Sequence, residues 1–380
     1  MNTSKPTSGQ AQRHEFEYKL NLRGKPRGIK PFGGANKIII LCLIIGFITP
    51  LAKAQNTSQI FKTAFNNNTF NGSALVMQNK NTQYKGSFGY ANEEWQIKNQ
   101  ANTKFKLGSC TKQFTAALIM LLHQQGKISL NSTIKDYIPN YPEEHGNKIT
   151  IHHLLAHESG IPDYFYLPQA RPYFYKSSKP LNFLKVFWEL PLEFEPGSQA
   201  KYSNSGYFIL GIIIETVTQM SYEDALNTMI FEPLKMTNSG IDNTSKIYKN
   251  KAYGYLKVSG KLQVAPYINS SCAYSAGAIY STCEDLALWC QSFLDASLLS
   301  EESIKMMSTK HNAKYGYGLA IINVDNGTDS MTIVGHEGEI FGYRSLIHMI
   351  PAENKFIIIL DNHNNRKLFN TAKAIWNLKE

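Results

Sequence analysis

Leu107-Gly108-Ser109-Cys110-Thr111-Lys112 sets a serine and a lysine three residues apart. The residues that follow are helical in pattern. Phe114, Ala117, Leu118, Leu121 and Leu122 recur at i, i+3, i+4, i+7 and i+8, and Gly126 closes the run. Three residues on a helix make one turn, so the Ser109 hydroxyl and the Lys112 amine share a face within a few ångströms. With Ser109 opening that helix, its backbone N–H is one of the free amides able to stabilise an anion. Nucleophile, amine and oxyanion donor then come from four residues. A Ser and a Lys at this spacing also occur by chance in most long chains, so the motif needs partners.

The second constellation is Glu195-Pro196-Gly197-Ser198-Gln199-Ala200-Lys201-Tyr202-Ser203-Asn204-Ser205-Gly206. Pro-Gly makes a turn, and Tyr202-x-Asn204 stands before a nearly all-apolar stretch, Tyr207 to Val217, of the kind that forms a buried helix. A lysine ammonium beside Tyr202 predicts easier ionisation of the phenol, which makes Tyr202 a candidate base for the serine hydroxyl. The Asn204 amide both donates and accepts, which suits it to orienting the lysine and a substrate carbonyl; the plainer reading is an N-cap for the helix that follows. The third constellation, Ile333-Val334-Gly335-His336-Glu337-Gly338-Glu339, is a strand running into a glycine-flanked histidine. Gly338 lets a substrate backbone lie against the strand edge, and the amide of Glu339 is the candidate second oxyanion donor.

Around these motifs the chain shows strand patterns at both ends. A helix over 55–70 precedes strands Gly72–Met77 and Thr82–Tyr90, with Asn79-Lys80-Asn81 as the turn between them. A helix-rich, proline-punctuated middle follows. Strands return at Tyr317–Asn323, Met331–Gly335, Tyr343–Ile350 and Lys355–Leu360, and a final helix begins near Lys367. The expected fold is α/β (α+β): an antiparallel sheet built from both chain ends, flanked by helices, with a mostly helical second lobe and the active site between the lobes.

Taken in order, Ser-x-x-Lys, Tyr-x-Asn about 90 residues on and His-x-Gly before a C-terminal strand pair resemble the serine β-lactamase and penicillin-binding-protein superfamily. The Tyr and His forms are similar to the branch holding class C β-lactamases, D,D-carboxypeptidases, D-aminopeptidases and related esterases. Ile149–Ile161, Ser275–Thr282 with Asp285, and Gly335–Ser345 agree with it, so the resemblance covers roughly residues 60–365. It implies Ser109 as acylated nucleophile, Lys112 and Tyr202 as handlers of its proton, and Asn204 as positioner. It also implies the amides of Ser109 and Glu339 as oxyanion hole and His336 on the strand edge. Class C β-lactamases carry Lys-Thr-Gly where this chain has His336-Glu337-Gly338. A mostly neutral His attracts a substrate carboxylate poorly, which moves the expectation from β-lactams toward an esterase or D-amino-acid peptide hydrolase. Arg344 is the candidate replacement for the missing cation, or a solvated arginine near a turn.

Three functions compete: the serine hydrolase just described, a true β-lactamase or D,D-carboxypeptidase, and an inactive homologue that binds peptidoglycan or a partner. The absence of any Gly-x-Ser-x-Gly disfavours a classical α/β-hydrolase. The aromatic stretch Tyr164–Tyr175 either lines an acyl site or merely packs. His152, His153 and His157 lack His-Glu-x-x-His and a third ligand, so no metal and no cofactor is expected. Cys110, Cys272, Cys283 and Cys290 show no zinc-finger spacing and fit buried apolar roles, although a Cys272–Cys283 disulfide is conceivable.

The chain has 380 residues and a formal charge of +10. Residues 1–54 hold nine Lys/Arg and two Asp/Glu, leaving 30 against 27 in residues 55–380, which gives no case for nucleic acid. The apolar run Ile38–Leu51, before Ala52-Lys53-Ala54, reads as an export signal cleaved ahead of Gln55, or as an anchor if it is retained. Expected, then, are a leader over 1–54 and one hydrolase domain over 55–380, exported to the periplasm or beyond. Its partner would be a small-molecule or peptide substrate, cell-wall derived or not.

Overall fold

The computed structural model describes residues 55–325, 330–365 and 367–376; the leader expected over 1–54 lies outside them. The described residues belong to one compact unit, Pro50–Glu380. After helix α1 (residues 55–66) come β1 (Gly72–Gln78) and β2 (Asn81–Phe88), joined by a tight turn at Asn79 and Lys80, both at positive φ. The late strands are β3 (Ala320–Asp325), β4 (Ser330–Ile340), β5 (Tyr343–Ile350) and β6 (Lys355–Asp361). They assemble in the order β3-β4-β5-β6-β1-β2, antiparallel throughout, so β6 pairs with β1 and the two chain ends meet in mid-sheet.

Period-two alternation divides this sheet between two cores. Along β6, Ile357 and Ile359 face a cluster closed by Phe61 and Phe70 and by Ile375 and Trp376 of the last helix, while Ile358 and Leu360 face the larger cluster. That larger cluster holds α2 (Thr111–Gln124), the apolar α3 (Asn204–Thr218) and α4 (Cys283–Leu294). No described helix is long and apolar enough to cross a membrane.

Two boundaries differ from the sequence expectation, and both bear on the site. Ser109 does not open α2; it sits in a separate turn of 3-10 helix, Gly108–Cys110, ahead of it. Strand β4 does not stop at Gly335 but runs on through His336 to Ile340, while its pairing with β3 ends at the Ala320–Gly335 partners. Beyond Gly335 that edge has no strand neighbour among the described residues. The Ser109 turn occupies it instead.

Candidate active site

The turn carrying Ser109 is clamped from two sides. The Leu107 N–H donates to the Ile279 carbonyl at 2.8 Å, and the Leu107 carbonyl accepts from Ser345 Oγ at 2.6 Å. The Cys110 thiol donates to the His336 carbonyl at 3.0 Å, so this cysteine is tied to the free edge of β4. Burial pushes its thiol up to about 12, which removes it as a nucleophile. Glycine makes the approach possible. Gly108 has φ +53, and a Cβ there would stand 2.8–2.9 Å from the backbone of Glu339. A Cβ on Gly338 would meet the Leu107 carbonyl at 1.9 Å. This corrects the expected role of Gly338: its open space admits the nucleophile turn, not a substrate backbone.

Lys112 is fully buried, and its Nζ has three neighbours: Asn204 Oδ1 at 2.8 Å, the Ala276 carbonyl at 2.8 Å and Ser109 Oγ at 3.2 Å. Burial lowers its pKa to about 7, opposed by the charge of Asp163. A neutral amine has two N–H groups and one lone pair. The amide and carbonyl oxygens only accept, so they take both N–H groups, and the lone pair is left facing the serine hydroxyl. That is the geometry of a base.

Asn204 is the first residue of α3, with Ser203 ahead of it at the cap, so its side chain is free for other work. Its Oδ1 accepts from Lys112, and its Nδ2 donates to Asp163 Oδ2 at 2.9 Å. The loop is stitched down by Ser203 Oγ on the Ile161 carbonyl and Ser205 Oγ on the Pro162 carbonyl. Asp163 and the Ala276 carbonyl are parts of the site that sequence reading missed. Asp163 stands two residues past the quoted Ile149–Ile161 stretch, after Pro162; a backbone carbonyl leaves no sequence signal at all.

Tyr202 lies where expected, with the Lys112 ammonium position 4.9 Å from its ring centroid. Its protonation does not follow the expectation. Burial holds the phenol well above its ordinary range, the nearby Ser109 hydroxyl offsetting only part of this, and Oη forms no hydrogen bond of ordinary geometry. The phenolate is therefore disfavoured, and the proton acceptor of the pair is Lys112. His157 packs on Tyr202 at 4.5 Å between ring centroids and accepts the Ser203 N–H, a structural use; His152 bonds Tyr317, and His153 closes the capping box with Thr150.

His336 is 6 % exposed, and burial with the Lys112 charge lowers its pKa to about 4. It is neutral, its Nδ1 donating to the Glu337 carbonyl and its Nε2 buried without a partner. Arg344 differs from the role suggested for it. Its guanidinium pairs with the Glu339 carboxylate, directly opposite across the β4–β5 hairpin, and its Nε donates to Asn364 Oδ1 at 3.1 Å. It is neutralised before any substrate carboxylate arrives. Cys272 and Cys283 are both free and buried, so the conceivable disulfide is not formed.

The Beta-lactamase family model matches residues 59–378. The chain belongs to this family. Like its relatives there, it is a serine hydrolase. It is 30% identical over 312 residues to a putative penicillin-binding protein, PbpX, of Bacillus subtilis, covering 81% of this chain and 75% of the relative. It is 29% identical to penicillin-binding protein 4* of the same organism, covering 82% and 72%. Among solved structures, a penicillin-binding protein from Bacillus halodurans superposes with TM-score 0.73 at 25% identity, covering 85% of this chain and 100% of that one. A D-amino acid amidase from Ochrobactrum anthropi reaches TM-score 0.73 at 21% identity, covering 86% and 98%, a likeness of fold.

Proposed function

We propose that this β-lactamase-family chain is an exported hydrolase that cleaves an ester or amide through an acyl-enzyme on Ser109. The observation that carries the reading is the Lys112 amine, buried, 3.2 Å from Ser109 Oγ, with its pKa near 7. Neutral Lys112 takes the hydroxyl proton as Oγ bonds to the acyl carbon. The negative charge that forms on the carbonyl oxygen is met by the amides of Ser109 and Glu339. The bond to the leaving atom then breaks, and that atom takes the proton from Lys112, directly or through the Tyr202 hydroxyl. Water repeats the sequence on the acyl-enzyme and frees Ser109. Asn204 and Asp163 hold the lysine in place throughout.

The substrate class follows from charge. With His336 neutral and Arg344 already paired with Glu339, the strand edge has no free cation among the described residues. Carboxylate-bearing β-lactams and D-Ala termini lose an attraction there. A neutral ester or an amide, such as the D-amino-acid amides named for one structural neighbour, loses nothing. The sequence of residues 38–54 supports work outside the cytoplasm.

Purified residues 55–380 test this. A fluorophosphonate probe is expected to label wild type and not Ser109→Ala, and a short-chain nitrophenyl ester to be cleaved with higher kcat/KM than a chromogenic cephalosporin. Faster cephalosporin turnover would favour the β-lactamase reading. Absence of labelling by any acylating probe would leave the inactive binding homologue.

A further inference from the structure

Two cavities meet at Ser109 and share Tyr202 and Glu339. The first, about 410 Å³, is apolar, walled by Tyr164, Phe165, Tyr166, Ile268, Ala273 and Phe341. The second, about 390 Å³, also has much apolar surface but carries the polar, ionisable side chains, running along the free edge of β4 past His336, Glu337 and Arg344 to Tyr315. An ester or amide lying across Ser109 puts its two halves into these two unlike spaces. The apolar cavity suits the acyl half. Tyr202, whose hydroxyl is placed to pass a proton to the departing atom, borders both spaces, so the polar one takes the leaving half by exclusion.

The polar cavity has a definite charge preference. Three rings form one wall, with centroids 5.8 Å apart for Tyr202–Tyr315, 6.1 Å for Tyr202–His336 and 6.3 Å for Tyr315–His336. Beside them stands Glu337. Among the described residues no cation lies within ion-pair distance of its carboxylate, whereas Glu339 has Arg344. The bare Nε2 of His336 adds a buried acceptor with no partner. Aromatic faces, an unpaired carboxylate and a lone pair each attract positive charge and repel negative. The opposing cations are weakened: Arg344 is paired with Glu339, although its charge still reaches Glu337, and Lys112 is largely neutral above about pH 7.

We propose that the polar cavity beside Ser109 accepts a leaving group bearing an alkylammonium, recognised by Glu337 and the Tyr202–Tyr315–His336 wall. The inference rests on the serine hydrolase reading above and goes beyond it. It names an amino alcohol, amino thiol or diamine as the half released, and an apolar acyl chain as the half retained on Ser109. The reaction is ordinary acyl transfer: the carbonyl carbon gains Ser109 Oγ, loses the leaving atom with its electron pair, and that atom is protonated.

Three phenylacetyl thioesters with one acyl group test it at pH 8: of thiocholine, of the neutral isostere 3,3-dimethylbutanethiol and of 3-mercaptopropionate, each rate divided by its hydroxide-catalysed rate. Thiol release reads all three alike. The cation-to-neutral ratio of kcat/KM in wild type is expected to exceed that in Glu337→Gln by about tenfold, a modest return for a carboxylate beside aromatic faces. The anionic thioester is expected to be the poorest. Should the variant fold badly, wild type alone decides, because the ratio must fall as salt is raised to ~0.5 M while neutral turnover holds. Equal ratios in both proteins, a ratio indifferent to salt, or a preference that persists when the ammonium is moved to the acyl half would overturn the proposal while leaving the hydrolase intact. No hydrolysis of any thioester together with no acylation of Ser109 removes both readings at once.

Discussion

A lysine amine shut away from solvent holds its proton less firmly than a free one, and Lys112 shows how far this carries a site. Its pKa near 7 makes the amine half neutral at neutral pH, and its partners then direct the lone pair at Ser109. The sign follows. The folded value lies below the ordinary 10.5, so the base form is lost as pH falls through about 7, and kcat/KM for a neutral ester is expected to rise with pH along a limb centred there. Lys112→Arg, which cannot surrender its proton, is expected to cost ~10²–10⁴ in kcat/KM and to erase that limb. The same shift has the native state bind fewer protons than the unfolded chain between about 7 and 10.5, so this group's contribution to stability grows across that window. A limb centred near the tyrosine range instead would return the base to Tyr202. The sequence motifs singled out Ser109, Lys112 and Asn204, and the fold brings the three together. They did not foresee the protonated phenol, because the burial that raises Tyr202, aided by the charges of Tyr315, Asp163 and Tyr207, exists only in the folded chain.

The elements were legible where pattern is strong: the amphipathic run after Lys112, the apolar α3 and the isoleucines of β6. What the pattern did not carry was how closely two of them approach. Gly108 and Gly338 are the contact points between the nucleophile turn and β4, yet a glycine in sequence does not say what fills its empty side. The partner of Arg344 was within reach. The two-residue turn Phe341-Gly342 fixes a register in which Glu339 faces Arg344, and opposite charges at facing positions pair. Gly108→Ala tests the approach. The added methyl must occupy a left-handed backbone at ~1–2 kcal/mol and also displace the Glu339 backbone. The variant is expected to melt lower and, in the fraction that stays folded, to lose kcat through a widened oxyanion hole while KM for the same ester changes little. An equal loss in both would place the damage in substrate binding instead.

At the scale of the whole molecule, the sheet separates a layer that does chemistry from a layer that only holds the chain ends. Residues from β1 and β6 face both ways, but Phe61 and Trp376 close the far side, away from Ser109. Phe61 is fully buried, with ring centroids 5.0 Å from Tyr84 and 5.2 Å from Phe70, so α1 docks through it onto the first hairpin. Phe61→Ala removes that anchor and leaves a cavity, a change that costs ~3–5 kcal/mol in comparable cores. The melting temperature is expected to fall by several degrees. Below the transition, kcat/KM per folded molecule and the pH limb near 7 are expected to stay at wild-type values, since no group that touches Lys112 lies in that layer. Calorimetry beside the pH profile reads both quantities on one preparation. A shifted limb in this variant would mean that the far layer sets the burial of Lys112 through the sheet, and that the two layers act as one.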